Sequence, residues 1–190
     1  WNYSHSFWDY QSRSAYLMRQ GKPKVDLCVY LGENAPVKIL TYRLPNIPGG
    51  YDFDACTTDA LLSRMEAKEG NIVLPNGIYY RLMILPRNGE ITLRALKKIV
   101  SLVTNGAVVY GPKAVFSENH ETEKKEEFEY LVHQLWGDSL DEEGSHSCGK
   151  GKVYWGMSLE NALTEAGIQP DITMEKGNTK DSKIYFAHRR

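Results

Sequence analysis

The sequence predicts an α/β fold: an open, mostly parallel sheet with helices on both faces and an inserted β-hairpin. Three observations predict it. Short apolar runs of strand type alternate with amphipathic stretches of about 10–15 residues, the pattern of strand–helix–strand units. Asn76-Gly77 lies between two apolar runs, a strong signal for a tight hairpin. The chain has 190 residues, 42% hydrophobic and 25% charged, enough for one large domain with a sizeable core.

Each element has its own local cause. Residues 6–20 place Phe7, Tyr10, Leu17 and Met18 on one helical side, with Gly21 and Pro23 as stop signals. Residues 24–32 (KVDLCVYLG) read as a buried strand through Val25, Leu27, Val29 and Leu31. A loop over 33–52 follows, broken by Pro36, Pro45, Pro48, Gly49 and Gly50, and connections of that length are usually functional. Residues 57–64 read as a short helix and 65–70 as a short strand or turn. Residues 71–74 and 78–80 flank the Pro75-Asn76-Gly77 turn, and 81–86 (RLMILP) form the most convincing central strand. Leu93, Leu96, Ile99, Val100 and Val103 recur at i, i+3, i+6, i+7 and i+10 behind Thr92 as N-cap, with Gly106 past the last turn. That is an amphipathic helix. Residues 107–111 are a strand, and 121–136 a helix with Phe128, Leu131, Val132 and Leu135 on one face and the charged run 118–129 as its solvated side. A polar loop spans 138–150, and 152–156 form a strand. Ser158 caps a helix carrying Leu159, Ala162, Leu163 and Ala166, ended by Gly167 and Pro170, and 184–187 read as a last strand.

Composition narrows the partners. Lys plus Arg total 23 against 24 for Asp plus Glu, a net charge of −1, so no whole-domain field favours nucleic acid or an anionic membrane. Three widely spaced cysteines, Cys28, Cys56 and Cys148, encode neither a disulfide framework nor a zinc site. The chain opens Trp1-Asn2-Tyr3 without a basic or apolar leader, and the expectation is an excised domain of a longer protein.

Ligands bind such sheets beyond the carboxyl ends of the strands, where strand order reverses. A phosphate-binding turn is not expected there, because Gly32-Glu33-Asn34-Ala35-Pro36 puts a carboxylate where phosphate would sit. Gly149-Lys150-Gly151 precedes a strand, the wrong polarity for a helix N-terminus. No cofactor is expected. Cys28 reads as a small buried hydrophobe, and so does Cys56 at the start of the short helix. His133 reads as a packing or surface residue, while His5, His120, His146 and His188 lie in separate segments without an i, i+4 pair.

Tyr51-Asp52-Phe53-Asp54 is the candidate substrate-binding segment, with Tyr51, Asp52 and Asp54 as its residues. Two carboxylates two apart on an extended segment point the same way, about 6.5–7 Å apart at Cα. A glycosidic bond must be flanked from opposing sides, so they form a poor catalytic pair. Asp54 reads as a helix cap, or as a Ca²⁺ or sugar-hydroxyl contact. Trp1, Tyr3, Phe7, Trp8 and Tyr10 crowd the first ten residues, a packing face against a neighbour or a platform for sugar rings.

Several segments together resemble the carboxyl-terminal half of α-L-rhamnosidase-like enzymes of glycoside hydrolase family 106. They are residues 7–23 leading into the Asp26 to Glu33 strand, Gly50-Tyr51-Asp52-Phe53-Asp54 followed by Leu61-Leu62, and Val73-Leu74-Pro75-Asn76-Gly77. Leu85-Pro86, Gly111-Pro112-Lys113 and residues 149–156 follow in order. The resemblance implies a flavodoxin-like or class I amidotransferase-like domain without the amidotransferase Cys nucleophile. It implies residues 1–23 as a linker helix from a preceding catalytic (β/α)₈ barrel, 24–182 as the α/β domain, and 183–190 as the start of a β module of sandwich type. It also implies an exported parent enzyme of plant polysaccharide breakdown, whose catalytic glutamates lie in the barrel. The expected function is a non-catalytic accessory domain. The alternatives are a stand-alone flavodoxin-like protein binding a small molecule or sugar, and a homo-oligomerisation module.

Overall fold

The computed structural model describes residues 1, 3–33, 46–116, 124–173 and 186–190. The amino-terminal helix α1 (His5–Arg19) is followed by strand β1 (Leu27–Tyr30), which is buried along its whole length. Strand β2 (Phe53–Cys56) and helix α2 (Thr58–Arg64) lead to β3 (Glu66–Lys68), β4 (Asn71–Val73) and β5 (Tyr79–Tyr80). Strand β6 (Leu82–Ile84), helix α3 (Leu93–Thr104), strand β7 (Val108–Tyr110) and helix α4 (Lys125–Trp136) follow. Hairpin β8 (Gly144–Cys148) and β9 (Gly151–Trp155) then runs into helix α5 (Leu159–Glu165).

Six strands form one sheet in the order β2-β1-β6-β7-β9-β8, parallel except for β8, which pairs antiparallel with β9. The predicted α/β class is therefore the observed one. Taken alone in chain order, the five parallel strands run 2-1-3-4-5, so the direction of progression reverses between β1 and β6. The predicted hairpin is present: β4 and β5 pair antiparallel, and with β3 they form a separate small sheet.

Alternation along β1 assigns the two faces, because successive side chains leave a strand on opposite sides. Cys28 and Tyr30 face the layer of α2, α3 and α4, whereas Leu27 and Val29 face Leu159 and Leu163 of α5. Helix α3 supplies the largest share of the first face by burying Ala95, Leu96, Ile99, Val100, Leu102 and Val103. Full burial of each large aliphatic is worth about 1.5–3 kcal/mol. Its predicted cap is in place, since Thr92 Oγ1 accepts from the Ala95 amide at 3.4 Å.

Three expectations are corrected. The stretch 138–150 is not all loop: Gly144–Cys148 is the antiparallel edge strand, held by its pairing to β9 although GSHSC carries little strand propensity. Asp54 is not a helix cap but the second residue of β2, and Thr57 caps α2 by accepting from the Ala60 amide. Cys56 accordingly ends a strand instead of starting a helix. Of the predicted last strand, residues 184 and 185 lie outside the described residues, as does the start of the 121–136 helix.

The segments on either side of the domain meet. The Lys22 amide donates to the Arg190 carbonyl at 2.7 Å, Arg190 returns the bond to Lys22 at 3.0 Å, and the Lys24 amide donates to His188 at 2.9 Å. This antiparallel clasp also leans on the hairpin: Lys22 Nζ donates to the Asn76 carbonyl at 2.7 Å, and the Arg190 guanidinium lies 5.0 Å from the Tyr79 ring centre.

Candidate functional site

The carboxyl ends of β6, β7 and β9 open into a cavity of about 410 Å³. Ile84, Leu85, Tyr110 and Pro112 give it an apolar floor, and the exposed Arg87 and Glu160 stand on it with opposite charges. The Tyr110 hydroxyl donates to the Met157 carbonyl at 2.8 Å, tying the end of β7 to the turn after β9. Burial raises the Tyr110 pKa against the pull of Arg87. Among the described residues, Glu160 is the only carboxyl group lining this cavity. A neighbouring cavity of about 420 Å³ holds Asp141 and Glu142 side by side on one loop, with the Asp141 carboxylate accepting from Ser139 Oγ at 2.7 Å. Just past β1, at the reversal of strand order, Glu33 Oε1 accepts from Arg94 Nε at 3.2 Å and Nη2 at 3.1 Å.

The three residues singled out from sequence lie at the opposite, amino-terminal edge of the sheet. The Tyr51 hydroxyl donates to the Ile168 carbonyl at 2.8 Å. Asp52 Oδ1 accepts from the Phe53 amide at 2.9 Å, and Asp54 Oδ2 accepts from the Tyr80 hydroxyl at 3.0 Å. Burial raises the Asp52 pKa and outweighs the Phe53 amide bond, which acts to lower it. Burial and the neighbouring Asp54 charge raise the Tyr80 pKa too, so this phenol stays protonated and remains a donor.

Beside them lies a charged group that sequence reasoning missed. Asp171 joins Lys24, whose Nζ is 2.5 Å from Oδ1, to His188, whose Nδ1 is 2.7 Å from Oδ2. Burial acts to raise the Asp171 pKa, but the hydrogen bonds from Lys24 and His188 prevail and hold it below the usual carboxylate range. The same Asp171 bond raises the Lys24 pKa. Asp26, 1% exposed, keeps Oδ1 at 3.8 Å from Arg81 Nη1, and its Oδ2 has no hydrogen-bond partner among the described residues. Its pKa is raised, first by burial and then by the negative charge of Asp171. An acidic residue inside the apolar run VDLCVY was the available signal for Asp26; nothing local links Lys24 to a carboxylate so far along the chain.

The described cysteines, His133 and His146 lie elsewhere in the fold. Cys28, Cys56 and Cys148 are buried free thiols. Hydrogen bonding with Cys56, together with burial, keeps the Cys28 thiol far above its ordinary range, so it stays protonated. His133 Nε2 sits 2.5 Å from Asp138 Oδ1 at the end of α4, and His146 Nδ1 contacts the Leu135 carbonyl at 3.0 Å. His120 lies outside the described residues. Among the described residues no three His, Cys, Asp or Glu side chains converge as a metal site, and no helix is long and apolar enough to cross a membrane.

Comparison with known proteins adds what geometry alone does not. The family described as alpha-L-rhamnosidase, glycoside hydrolase family 106, matches residues 1–190. A putative beta-glucuronidase of Formosa agariphila is 32% identical over 193 residues, a match covering 100% of this chain and 15% of that protein. The solved structure of a rhamnosidase from Novosphingobium sp. PP1Y superposes with a TM-score of 0.83 at 30% identity, covering 96% of this chain and 17% of that one. The chain thus spans about one-sixth of the length of either relative.

Proposed function

This chain belongs to the alpha-L-rhamnosidase family, and from that premise we propose that it is a non-catalytic α/β module of a longer, exported glycoside hydrolase acting on terminal α-L-rhamnosides of plant polysaccharides. The observation that carries the reading is that, among the described residues, the carboxyl-end cavity is lined by one carboxylate, Glu160. Glycosidases of the usual kind flank the scissile bond with two carboxyl groups, about 5–5.5 Å apart in retaining enzymes and 6.5–9.5 Å in inverting ones. Asp52 and Asp54 lie two apart at the start of β2, Asp52 just before it and Asp54 within it, and Asp141 and Glu142 share one loop, so neither pair can straddle a sugar ring.

The module's role is positional. Its five parallel strands follow the order of flavodoxin-like sheets, a rigid architecture whose buried strands resist bending. The clasp between residues 22–24 and 188–190 supports attachment of neighbouring modules, a barrel and a β-sandwich, at the amino edge of this sheet. Tyr51, Asp52 and Asp54 occupy that same edge, which supports them as a rim lent to a neighbouring substrate pocket.

The test is turnover of an aryl α-L-rhamnoside. Purified residues 1–190, shown to be folded by a cooperative thermal melt, are expected to be inactive while the longer polypeptide cleaves the substrate. Turnover by the folded fragment overturns the proposal.

A second reading is favoured by the cavity itself, whose apolar floor with an aromatic ring and charged rim suits a small sugar or sugar acid. Titration with L-rhamnose, followed by chemical-shift changes at Tyr110 and Arg87, tests it.

A further inference from the structure

Helix α1 has fifteen residues and buries none of them. Phe7, Tyr10, Leu17 and Met18 form a stripe at i, i+3, i+10 and i+11, exposed by 54%, 68%, 65% and 52%. Trp8 widens it, packing edge-on against Phe7 with ring centres 5.3 Å apart. The helix has little to hold it by itself. Its N-cap residue Ser4 makes no side-chain cap bond, and its first turn carries no acidic residue. A solitary helix of this length is marginal in water, and most helical stability in proteins comes from packing an apolar face.

We infer that the Phe7, Tyr10, Leu17 and Met18 face of α1 docks onto another part of the same polypeptide, outside residues 1–190. This rests on the reading of the chain as one module of a longer enzyme. Three observations select that occupant. The match to the solved rhamnosidase covers 96% of this chain, and the remainder is shorter than the 15 residues of α1, so at least part of the helix has its counterpart within a much longer protein. This chain spans only 17% of that protein, which leaves ample structure to receive the helix. The charge is also wrong for a lipid or nucleic-acid surface. Arg13 and Arg19 are the only Lys or Arg residues of α1, and Asp9 pairs with His5 at 3.2 Å.

Area separates an internal neighbour from a second copy of the chain. The stripe with Trp8 offers about 500 Å² of contact, short of the roughly 800 Å² per partner of a standard interface between separate proteins. Contacts between modules of one chain begin near 600 Å² in total, counting both surfaces, and tethering supplies a high effective concentration.

Photo-crosslinking in the longer polypeptide tests the inference, with benzoylphenylalanine in place of Tyr10. The expected product has monomer mass and joins residue 10 to a peptide outside residues 1–190. A crosslinked dimer, a link only to residues 20–190, or no link overturns it. Hydrogen exchange gives the second readout: α1 amides are expected to be at least 100-fold protected, and Leu17→Asp to reduce that at least tenfold while α3 keeps its protection. Unprotected α1 amides overturn the inference. Rhamnoside turnover by the same sample is scored separately, so loss of the docking result with turnover intact leaves the proposed function standing.

Discussion

The Lys24 ammonium and the Asp171 carboxylate, 147 positions apart, meet at 2.5 Å at the amino edge of the sheet. The other Asp171 oxygen accepts from His188, so one side chain ties the segment entering β1 to the segment that pairs with it.

Asp171→Asn is expected to lower stability by about 1–2 kcal/mol at pH 7, the cost of weakening two charge-assisted hydrogen bonds at a largely buried oxygen pair. Its carboxyl pKa is held below the unfolded value, so its contribution is complete above the unfolded pKa and is lost as pH falls through the folded one. Urea denaturation from pH 7 down to pH 2.5 should therefore show a loss of stability below about pH 4 in the parent that is smaller in the variant. An equal loss in both rules out the clasp as the cause.

Asp26→Asn is expected to act in the other direction. The folded pKa of Asp26 is raised, so the fold is penalised once pH climbs above the unfolded value and the buried group must ionise. The amide removes that penalty while keeping the shape. A gain of about 0.5–1 kcal/mol at pH 7, vanishing near pH 3, is the expected outcome by urea denaturation. A loss at pH 7 would show that the contact with Arg81 at 3.8 Å outweighs burial.

Gly151 and Gly167 should separate crowding from backbone strain. A Cβ at Gly151 would sit 2.2 Å from the Ala107 carbonyl oxygen and 2.3 Å from that of Val103, both rigid backbone. Gly151→Ala is expected to cost about 3 kcal/mol or more, or to prevent folding. At Gly167, with φ +67° and open space around it, alanine should cost only about 1 kcal/mol of left-handed strain. Thermal melts of the two variants decide it; similar losses would contradict the packing at the β9 start.

Glu160→Gln in the longer enzyme is expected to leave kcat on an aryl α-L-rhamnoside within about twofold. Loss of a general acid or base typically costs about 10²–10⁴-fold, and a fall of that size would place chemistry in the carboxyl-end cavity. Asp52→Asn is expected to raise KM about threefold with kcat unchanged if its edge borders the substrate, because that pattern marks uniform binding.

The elements legible in the sequence are those whose periodicity reflects their own burial. Strand β1, strand β6, the Asn76-Gly77 hairpin and α3 with its Thr92 cap all carry a local signature, and all are present. The edge strands β2 and β8 carry none. FDAC and GSHSC are short and half polar, and they become strands because β1 and β9 offer unpaired backbone beside them. The candidate site divides in the same way. The rule that such sheets open at their carboxyl ends locates the cavity, but its walls come from turns after three separate strands.

By itself the sequence determined the α/β class, the presence of the central strands and the membership of α3 in the core, because continuous apolar runs and a helical apolar period record what is dry. The tertiary structure alone decided the strand order, the meeting of Lys24, Asp171 and His188, the burial of Asp26, and the isolation of α1 from the body it precedes. Those depend on which segments become neighbours in space, and charge pairing between residues far apart leaves no periodic trace in the chain.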